Sequence, residues 1–234
     1  MSDPRAVRAM FARIAGRYDL LNGLLSAGID RRWRRALVRR LGGLEGRLLV
    51  DSCCGTGDLS FALERAGARV VGVDFTPEML GHARRKGRGR VARFVTGDAL
   101  RLPLADARAD AATIAFGIRN VGDRARGLRE MMRVVRPGGT VIVLEFSLPR
   151  GRLTGPLYRY YFTRVLPAIG GWISGDSAAY RYLPDTVLAW PSPEELRAEM
   201  EALGLEECGF QRLTGGVACL SWGRVPGRAP TPPS

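Results

Sequence analysis

Three carboxylates in the first hundred residues are spaced as the rim of a ligand site would need them. Asp51 follows the apolar run Leu48-Leu49-Val50 and precedes the turn Ser52-Cys53-Cys54-Gly55-Thr56-Gly57. Glycines in such a turn let the backbone approach a ligand closely. The helix expected from Asp58 offers N–H groups that have no acceptor within the helix. Asp74 ends a second apolar run, where a carboxylate can accept hydrogen bonds from both hydroxyls of a ribose. Asp98, in Gly97-Asp98-Ala99, follows a third and can take an adenine amino group while the Ala99 N–H meets a ring nitrogen. Each acid taken singly also suits a helix cap or a surface turn. Three at successive strand ends describe one edge.

The chemistry of that edge favours a cation. A dinucleotide-binding turn carries a third glycine three positions on, Gly-x-Gly-x-x-Gly, and that position here is Ser60. The grip on a pyrophosphate is therefore incomplete. Asp51 ahead of the turn suits positive charge, directly or through water. S-adenosylmethionine (SAM) has a cationic amino-acid end, a sulfonium, a ribose and an adenine, and these match the three acids in order.

The elements that must hold these residues alternate. Strands are expected over Arg47–Ser52, Arg69–Asp74, Val91–Thr96, Asp110–Phe116 and Thr140–Phe146, with helices over Asp58–Ala66, Pro77–Lys86 and Arg124–Val135. Arg136-Pro137-Gly138-Gly139 reads as a turn leading into the fifth strand. This alternation requires a parallel sheet with right-handed crossovers. Leu205–Arg212 and Gly216–Gly223 form a closing antiparallel hairpin, preceded by a helix over Glu194–Leu203. The expected fold is thus α/β: a Rossmann-like class I SAM-dependent methyltransferase with a seven-stranded, mostly parallel sheet. Residues 1–224 form its single domain. Within it, 1–46 make an N-terminal helical cap, with helices over Arg5–Ile14 and from an N-cap at Asp30 to Leu41. Residues 148–193, rich in Tyr, Trp, Gly and Pro, form a helical lid insertion. Residues 225–234 are Pro-rich and read as a disordered tail.

Composition narrows the class. The 234 residues are 46% hydrophobic, enough for a buried core, yet no stretch of about 18 uncharged apolar residues occurs. The N-terminus carries Asp3, Arg5 and Arg8 and lacks the apolar stretch of a signal peptide, so a cytoplasmic protein is expected. Four cysteines without a Cys-x-x-Cys pair, and the sole histidine His82, suggest neither a zinc site nor a disulfide framework. The net charge of +13, almost all arginine because Lys86 is the one lysine, attracts nucleic acid, anionic lipid or acidic ligands without choosing among them.

Longer motifs are more particular. Phe11–Asn22, Leu25–Trp33, Phe116–Val121, Arg133–Gly139, Leu144–Ser147, Val165–Pro167 and Asp176–Leu183 resemble the menaquinone/ubiquinone biosynthesis C-methyltransferases, over about Met10 to Gly223. The Tyr18-Asp19-x-x-Asn22, Phe116-Gly117-Ile118-Arg119-Asn120 and Tyr180-Arg181-Tyr182-Leu183 pieces carry most of that likeness. The chain departs from the family in having Ala115 where some members carry serine, and Cys53-Cys54 in the first turn. The resemblance implies methylation of a ring carbon of a prenylated quinol. Demethylmenaquinol is favoured, with 2-methoxy-6-polyprenyl-1,4-benzoquinol as the alternative. A nucleic-acid methyltransferase is a second alternative, weakened because Phe116-Gly117-Ile118-Arg119 replaces the Asn/Asp-Pro-Pro-Tyr/Phe tetrad of base-amino methylation.

Cofactor contacts are then expected from Asp51, Gly55, Thr56, Gly57, Asp74, Phe75, Asp98, Ala99, Ala115 and Tyr18. On the acceptor side, a quinol carbon turns nucleophilic when the neighbouring hydroxyl ionises, and such a phenol titrates near ~10. Arg119 is expected to favour the phenolate by charge, or else to hold its loop in a salt bridge. Asn120 orients the ring oxygen, and Tyr180, Tyr182 and Asp176 relay a proton. Leu153, Leu157, Tyr160, Tyr161, Phe162 and Val165 line a groove for the isoprenoid tail or pack in the core. Trp33, Leu37 and Leu41, flanked by arginines, make one face suited to anionic headgroups. Expected partners are the quinol, an anionic membrane surface contacted peripherally at its inner face, and a second copy in a homodimer.

Overall fold

The structure, a computed structural model, describes residues 4–16, 28–149, 151, 154–160, 163–164 and 184–227. Seven strands form one sheet: β1 (Leu48–Ser52), β2 (Arg69–Asp74), β3 (Arg93–Thr96), β4 (Ala109–Ala115), β5 (Val135–Phe146), β6 (Glu206–Leu213) and β7 (Ala218–Arg224). Their order is β3-β2-β1-β4-β5-β7-β6. The first five run parallel, and β7 pairs antiparallel with both β5 and β6. The order reverses between β1 and β4, which is where open α/β sheets leave a crevice at the carboxyl ends of their strands.

Helices α1 (Pro4–Ile14), α2 (Asp30–Leu41), α3 (Asp58–Arg65), α4 (Pro77–Lys86), α5 (Arg124–Val134), α6 (Thr154–Tyr160) and α7 (Pro193–Ala202) surround the sheet. Adjacent strand residues point to opposite faces, so the two faces bury different sets. Val50, Ala112, Ile114, Val141 and Val143 pack with Leu128 and Met131 of α5 and Leu196 and Met200 of α7. Leu49, Val70, Ala111 and Leu144 pack with Trp33 and Leu37 of α2 and Leu59 and Leu63 of α3. Burial on both faces is why these strands read as nearly continuous apolar runs.

Two local expectations are revised. Asp30 is the first residue of α2, not its N-cap; Ile29 occupies the cap without a side-chain bond, and the Asp30 carboxylate pairs with Arg34 one turn on. Arg136–Gly139 does not precede β5 but bulges out within it. Ala109 pairs with Val135 and Ala111 already with Thr140, and Gly138 takes φ 74°. A Cβ on Gly139 would lie 2.4 Å from Val135 Cγ1 and 2.7 Å from the Asp110 carbonyl oxygen, so the bulge closes only on glycine.

The face of α2 expected to meet headgroups is spent inside the protein. Trp33 is 4% exposed and Leu37 fully buried, and the Trp33 Nε1–H donates to Thr214 Oγ1 at 2.8 Å. What α2 leaves at the surface is Arg31, Arg32, Arg35, Arg39 and Arg40. In the expected lid, α6 and a short helical stretch at 184–188 lie within the described residues. Tyr160 is exposed and Leu157 has no described side chain, while Leu153, Tyr161, Phe162 and Val165 fall outside the described residues, as does most of the Pro-rich tail.

Candidate active site

β1 ends at Ser52, between Val73 of β2 and Ile114 of β4. The chain then folds back through three left-handed residues, Cys53 (φ 52°), Gly55 (φ 54°) and Gly57 (φ 85°). The two glycines do different work. A Cβ added to Gly55 meets nothing within 4 Å, so its open side is free for a ligand. One added to Gly57 would lie 2.8 Å from Phe94 Cζ, so that glycine seats the turn on an aromatic ring and does not line the cleft. Thr56 is likewise buried, at 3% exposure.

Asp74 lines the cleft with both oxygens already engaged. Oδ2 accepts the Gly55 N–H and Oδ1 the Thr76 N–H, each at 2.9 Å. Burial pushes its carboxyl up, and those two N–H groups pull it back toward the charged form. Each oxygen keeps a second lone pair, which fits a ribose diol. Asp98 is exposed; its Oδ1 accepts the Leu100 N–H at 2.9 Å, which holds the Gly97–Leu100 turn open toward the cleft.

Asp51 departs from expectation. It is 1% exposed and lies behind the turn instead of lining the cleft. Its Oδ2 accepts the Ser60 hydroxyl at 2.6 Å and its Oδ1 the Thr113 hydroxyl at 3.3 Å. Burial raises its pKa to about 7, against the pull of those bonds and of Arg34. Ser60 thus stands where a dinucleotide binder has glycine because its hydroxyl satisfies a buried carboxylate.

The cleft runs over the carboxyl ends of β1, β2, β3 and β4. Gly55, Asp74, Phe75, Thr76 and Met79 line one side, Gly97 to Leu100 the next, and Ala115 to Gly117 with Asn120 to Gly122 the third; Cys53 forms part of the floor and Phe11 of α1 approaches from above. Of the expected cofactor residues, Gly55, Asp74, Phe75, Asp98, Ala99 and Ala115 line this space. Tyr18 falls outside the described residues. Phe11, Met79 and Leu100 were missed. Only Phe11 carried a signal, as the first residue of the Phe11–Asn22 motif; the others are brought there by helix and turn geometry.

The wall at β4 and β5 is aromatic and charged. Phe116 (φ 57°) packs against Phe146, tilted by 41° with centroids 4.7 Å apart, and the Trp33 ring centroid lies 5.8 Å from that of Phe116. Gly117 must be glycine here, because a Cβ would lie 2.5 Å from Cys53 Cβ. That contact joins the two turns. Asn120 faces the cleft, but Arg119 does not. Its Nη1 donates to the Phe116 carbonyl at 2.6 Å and to Glu145 Oε1 at 2.7 Å, with side chains 7% and 2% exposed. The expected free cation beside the acceptor is instead committed to a buried ion pair. Tyr180, Tyr182 and Asp176 lie outside the described residues.

Comparison with known proteins agrees with this geometry. The model of the ubiE/COQ5 methyltransferase family matches residues 1–225. The demethylmenaquinone methyltransferase of Thermus thermophilus is 51% identical over 221 residues, covering 93% of this chain and all of the relative. The ubiquinone/menaquinone biosynthesis C-methyltransferase UbiE of Geobacter sulfurreducens is 45% identical, covering 93% and 87%. A SAM-dependent methyltransferase of Thermotoga maritima superposes with a TM-score of 0.67 at 22% identity, over 93% of this chain and 99% of that one, which bears on the fold. Strand order, rim acids and near-complete coverage by relatives of about half identity agree, and this chain belongs to the ubiE/COQ5 methyltransferase family.

Proposed function

We propose that this enzyme transfers a methyl group from SAM to a ring carbon of demethylmenaquinol, giving menaquinol in the last step of menaquinone biosynthesis. The observation that carries the reading is the cleft itself. It has on one side a carboxylate at Asp74 whose remaining lone pairs suit a ribose diol, an open left-handed glycine at Gly55 and a turn at Asp98–Ala99 that suits an adenine edge. On the other side is the Phe116 ring, packed against Phe146 behind it, an apolar surface that suits an aromatic acceptor. The identity to the Thermus thermophilus relative supports the quinol class.

Bound SAM supplies a sulfonium-activated methyl group, so the protein's main task is alignment, which can contribute roughly 7–11 kcal/mol. Asp74 and Asp98 fix the donor end, and the Phe116–Asn120 turn fixes the acceptor ring. Asp51 acts from behind: its field reaches the cationic end of the donor through the turn it underlies. Methylation of 2-methoxy-6-polyprenyl-1,4-benzoquinol is the second reading, favoured by the name that the Geobacter sulfurreducens relative carries. The family match leaves a nucleic-acid substrate without support. Incubating the enzyme and SAM with each quinol, and reading the methylated product by mass, decides between the two. Methylation of the benzoquinol alone would overturn the menaquinone assignment.

The prenylated acceptor resides in lipid, and no helix among the described residues is long and apolar enough to cross a membrane. We propose peripheral contact from the cytoplasmic side through the exposed arginines of α2. With Trp33 and Leu37 turned inward, that contact is electrostatic, worth about 1 kcal/mol per arginine near an anionic surface. Co-sedimentation with phosphatidylglycerol vesicles should therefore be lost as salt rises; binding that persists at high salt would count against it. Light scattering distinguishes a monomer on that surface from a homodimer.

A further inference from the structure

The helices on the two faces of the sheet carry different charge. α2 holds six arginines against one acid, Asp30. α4 and the turn after it hold Arg84, Arg85, Lys86, Arg88 and Arg90 against Glu78. Right-handed crossovers from β1 through β2 to β3 set α3 and α4 on one face, and α2 packs beside α3 through Trp33, Leu37, Leu59 and Leu63. Gly87, at the end of α4, lies so near α3 that a Cβ there would fall 2.7 Å from Phe61 Cε1. The opposite face is covered by α5 and α7. α5 has four arginines and one glutamate, whereas α7 has four glutamates and one arginine, and the two cancel. Between the two helix layers, the excess of positive charge therefore lies on the α2–α4 face.

The turn from α4 into β3 is the most concentrated part of that face. No acid occurs between Glu78 and Asp98, and Arg84, Arg85, Lys86, Arg88, Arg90 and Arg93 are all exposed. The turn is held from α3. Glu64 Oε1 accepts the Val91 and Ala92 N–H groups, while Arg90 lies 3.7 Å from Glu64 Oε2 with its guanidinium 5.2 Å from the Phe61 ring centroid. Asp58 is likewise engaged, by Lys86 and by Arg34 of α2. The Val91 side chain is left 76% exposed, more than any other large apolar side chain among the described residues. The backbone of the turn is thus fixed, and an apolar side chain points from it into solvent among arginines.

We propose that the α2–α4 face lies against an anionic bilayer, with Arg85 and Arg88 at the headgroups and Val91 below them at the apolar boundary. This rests on the membrane reading above and extends it from one helix to an oriented face. Basic side chains supply a long-range attraction, and a shallow apolar insertion adds a second, short-range one, the combination that holds peripheral proteins. Val91 alone is too small to keep the protein bound once salt screens the arginines. The orientation also serves the reaction. α2 borders the cleft at its acceptor wall: the Trp33 ring lies 5.8 Å and Arg34 Cζ 5.9 Å from the centroid of Phe116, which lines the cleft. The bilayer then meets the protein beside the wall that a lipid-borne quinol must reach. Nucleic acid is drawn by the same charges, but the exposed valine and the lipid-borne acceptor favour the bilayer.

The test is co-sedimentation with vesicles of phosphatidylcholine and phosphatidylglycerol in equal parts, comparing double variants that each lose two positive charges. Arg85→Gln with Arg88→Gln should weaken binding about 30-fold. Arg126→Gln with Arg129→Gln, exposed on α5, should stay within about 2-fold of wild type, because that face is turned to screened solvent. Val91→Ser should weaken binding several-fold. Melting temperature and SAM affinity should match wild type throughout, since none of these residues lines the cleft. Equal losses from the two double variants would show that total charge acts and not a face, and would overturn the proposal. If only Arg31→Gln with Arg35→Gln weakens binding, the contact through α2 stands and the wider face falls. A wild type that ignores vesicles fails the membrane reading itself, and salt-sensitive binding of RNA in its place would assign the face to nucleic acid.

Discussion

The two walls of the cleft are built by different means. On the donor side, Asp74 and Asp98 are held by backbone N–H groups a few residues away or on the adjoining turn: Gly55, Thr76 and Leu100. These acids have partners that cost no desolvated countercharge, and each stays accessible to ligand. On the acceptor side, the Phe116–Asn120 turn is held by an ion pair that spans 26 residues, packed under aromatic rings. A wall of the first kind binds a fixed, polar, always-cationic ligand. A wall of the second kind keeps water from the ion pair beneath it, where charge attraction is stronger than at a wet surface.

The contrast can be broken most forcefully at Arg119. Replacing it with Ala strands Glu145 in a buried site, and loss of one member of such a pair typically costs 3–5 kcal/mol. Chemical denaturation should show that loss, while SAM affinity of the remaining folded protein stays near wild type. A stable Arg119→Ala variant would mean that the pair does not hold the wall.

Asp74→Ala strikes the other side. Hydrogen bonds to a charged group are worth about 1.5–3 kcal/mol each, so SAM binding by calorimetry should weaken at least 10-fold. Stability should change less than for Arg119→Ala, because the orphaned Gly55 and Thr76 N–H groups lie at the cleft, where water can reach them. Unchanged SAM affinity would remove Asp74 from the ribose site.

Gly117→Ala tests the seam between the walls. The added Cβ falls 2.5 Å from that of Cys53, and both turns already hold a non-glycine residue at positive φ. Overpacking of this kind costs about 1–3 kcal/mol, and it should reduce SAM affinity and turnover together, since neither turn can give way alone. A variant impaired in only one of the two would show that the walls are independent.

The smallest effect is a slope. The folded pKa of Asp51, about 7, lies above the ordinary aspartate value of 3.8 because burial disfavours the carboxylate. The folded state therefore holds the more protons between those two values, so the contribution of Asp51 to stability falls as pH rises from about 4 to about 7 and is level above. Asp51→Asn should flatten that part of the melting-temperature profile. A slope that survives the substitution would assign it to another group, with Asp74 the first to examine.

Much of the donor wall was legible in the chain because its contacts are local. Asp74 bonds to Thr76 two residues on and the Gly97–Leu100 turn bonds within itself, and a strand-end acid before a glycine turn is a pattern of spacing. Arg69–Asp74 and Pro77–Lys86 match strand and helix to the residue. Asp51 was found as an acid of the right type, but whether it faces ligand or Ser60 depends on how α3 seats against β1. The acceptor wall was readable only as motifs. Arg119 reads equally well as a free cation or as half of a salt bridge, and Glu145 in Leu144–Ser147 suggests no partner at all. The choice is made by the parallel register that sets Ala115 beside Leu144 and so brings the turn over the end of β5.

The amphipathic pattern of α2 had the same limit. Periodicity shows that Trp33 and Leu37 share a face, but not whether lipid or protein covers it; Thr214, Phe116 and Phe146 settle that from elements 80 to 180 residues away. Residue type and short spacing alone therefore determined the alternating sheet, the glycine turn and the acids of the donor rim, because short-range hydrogen bonds and strand periodicity need no distant partner. Which buried charges pair and which apolar faces are already covered were decided by the tertiary structure. Burial and Coulomb energy depend on distance in space, and the chain brings distant residues together only once it has folded.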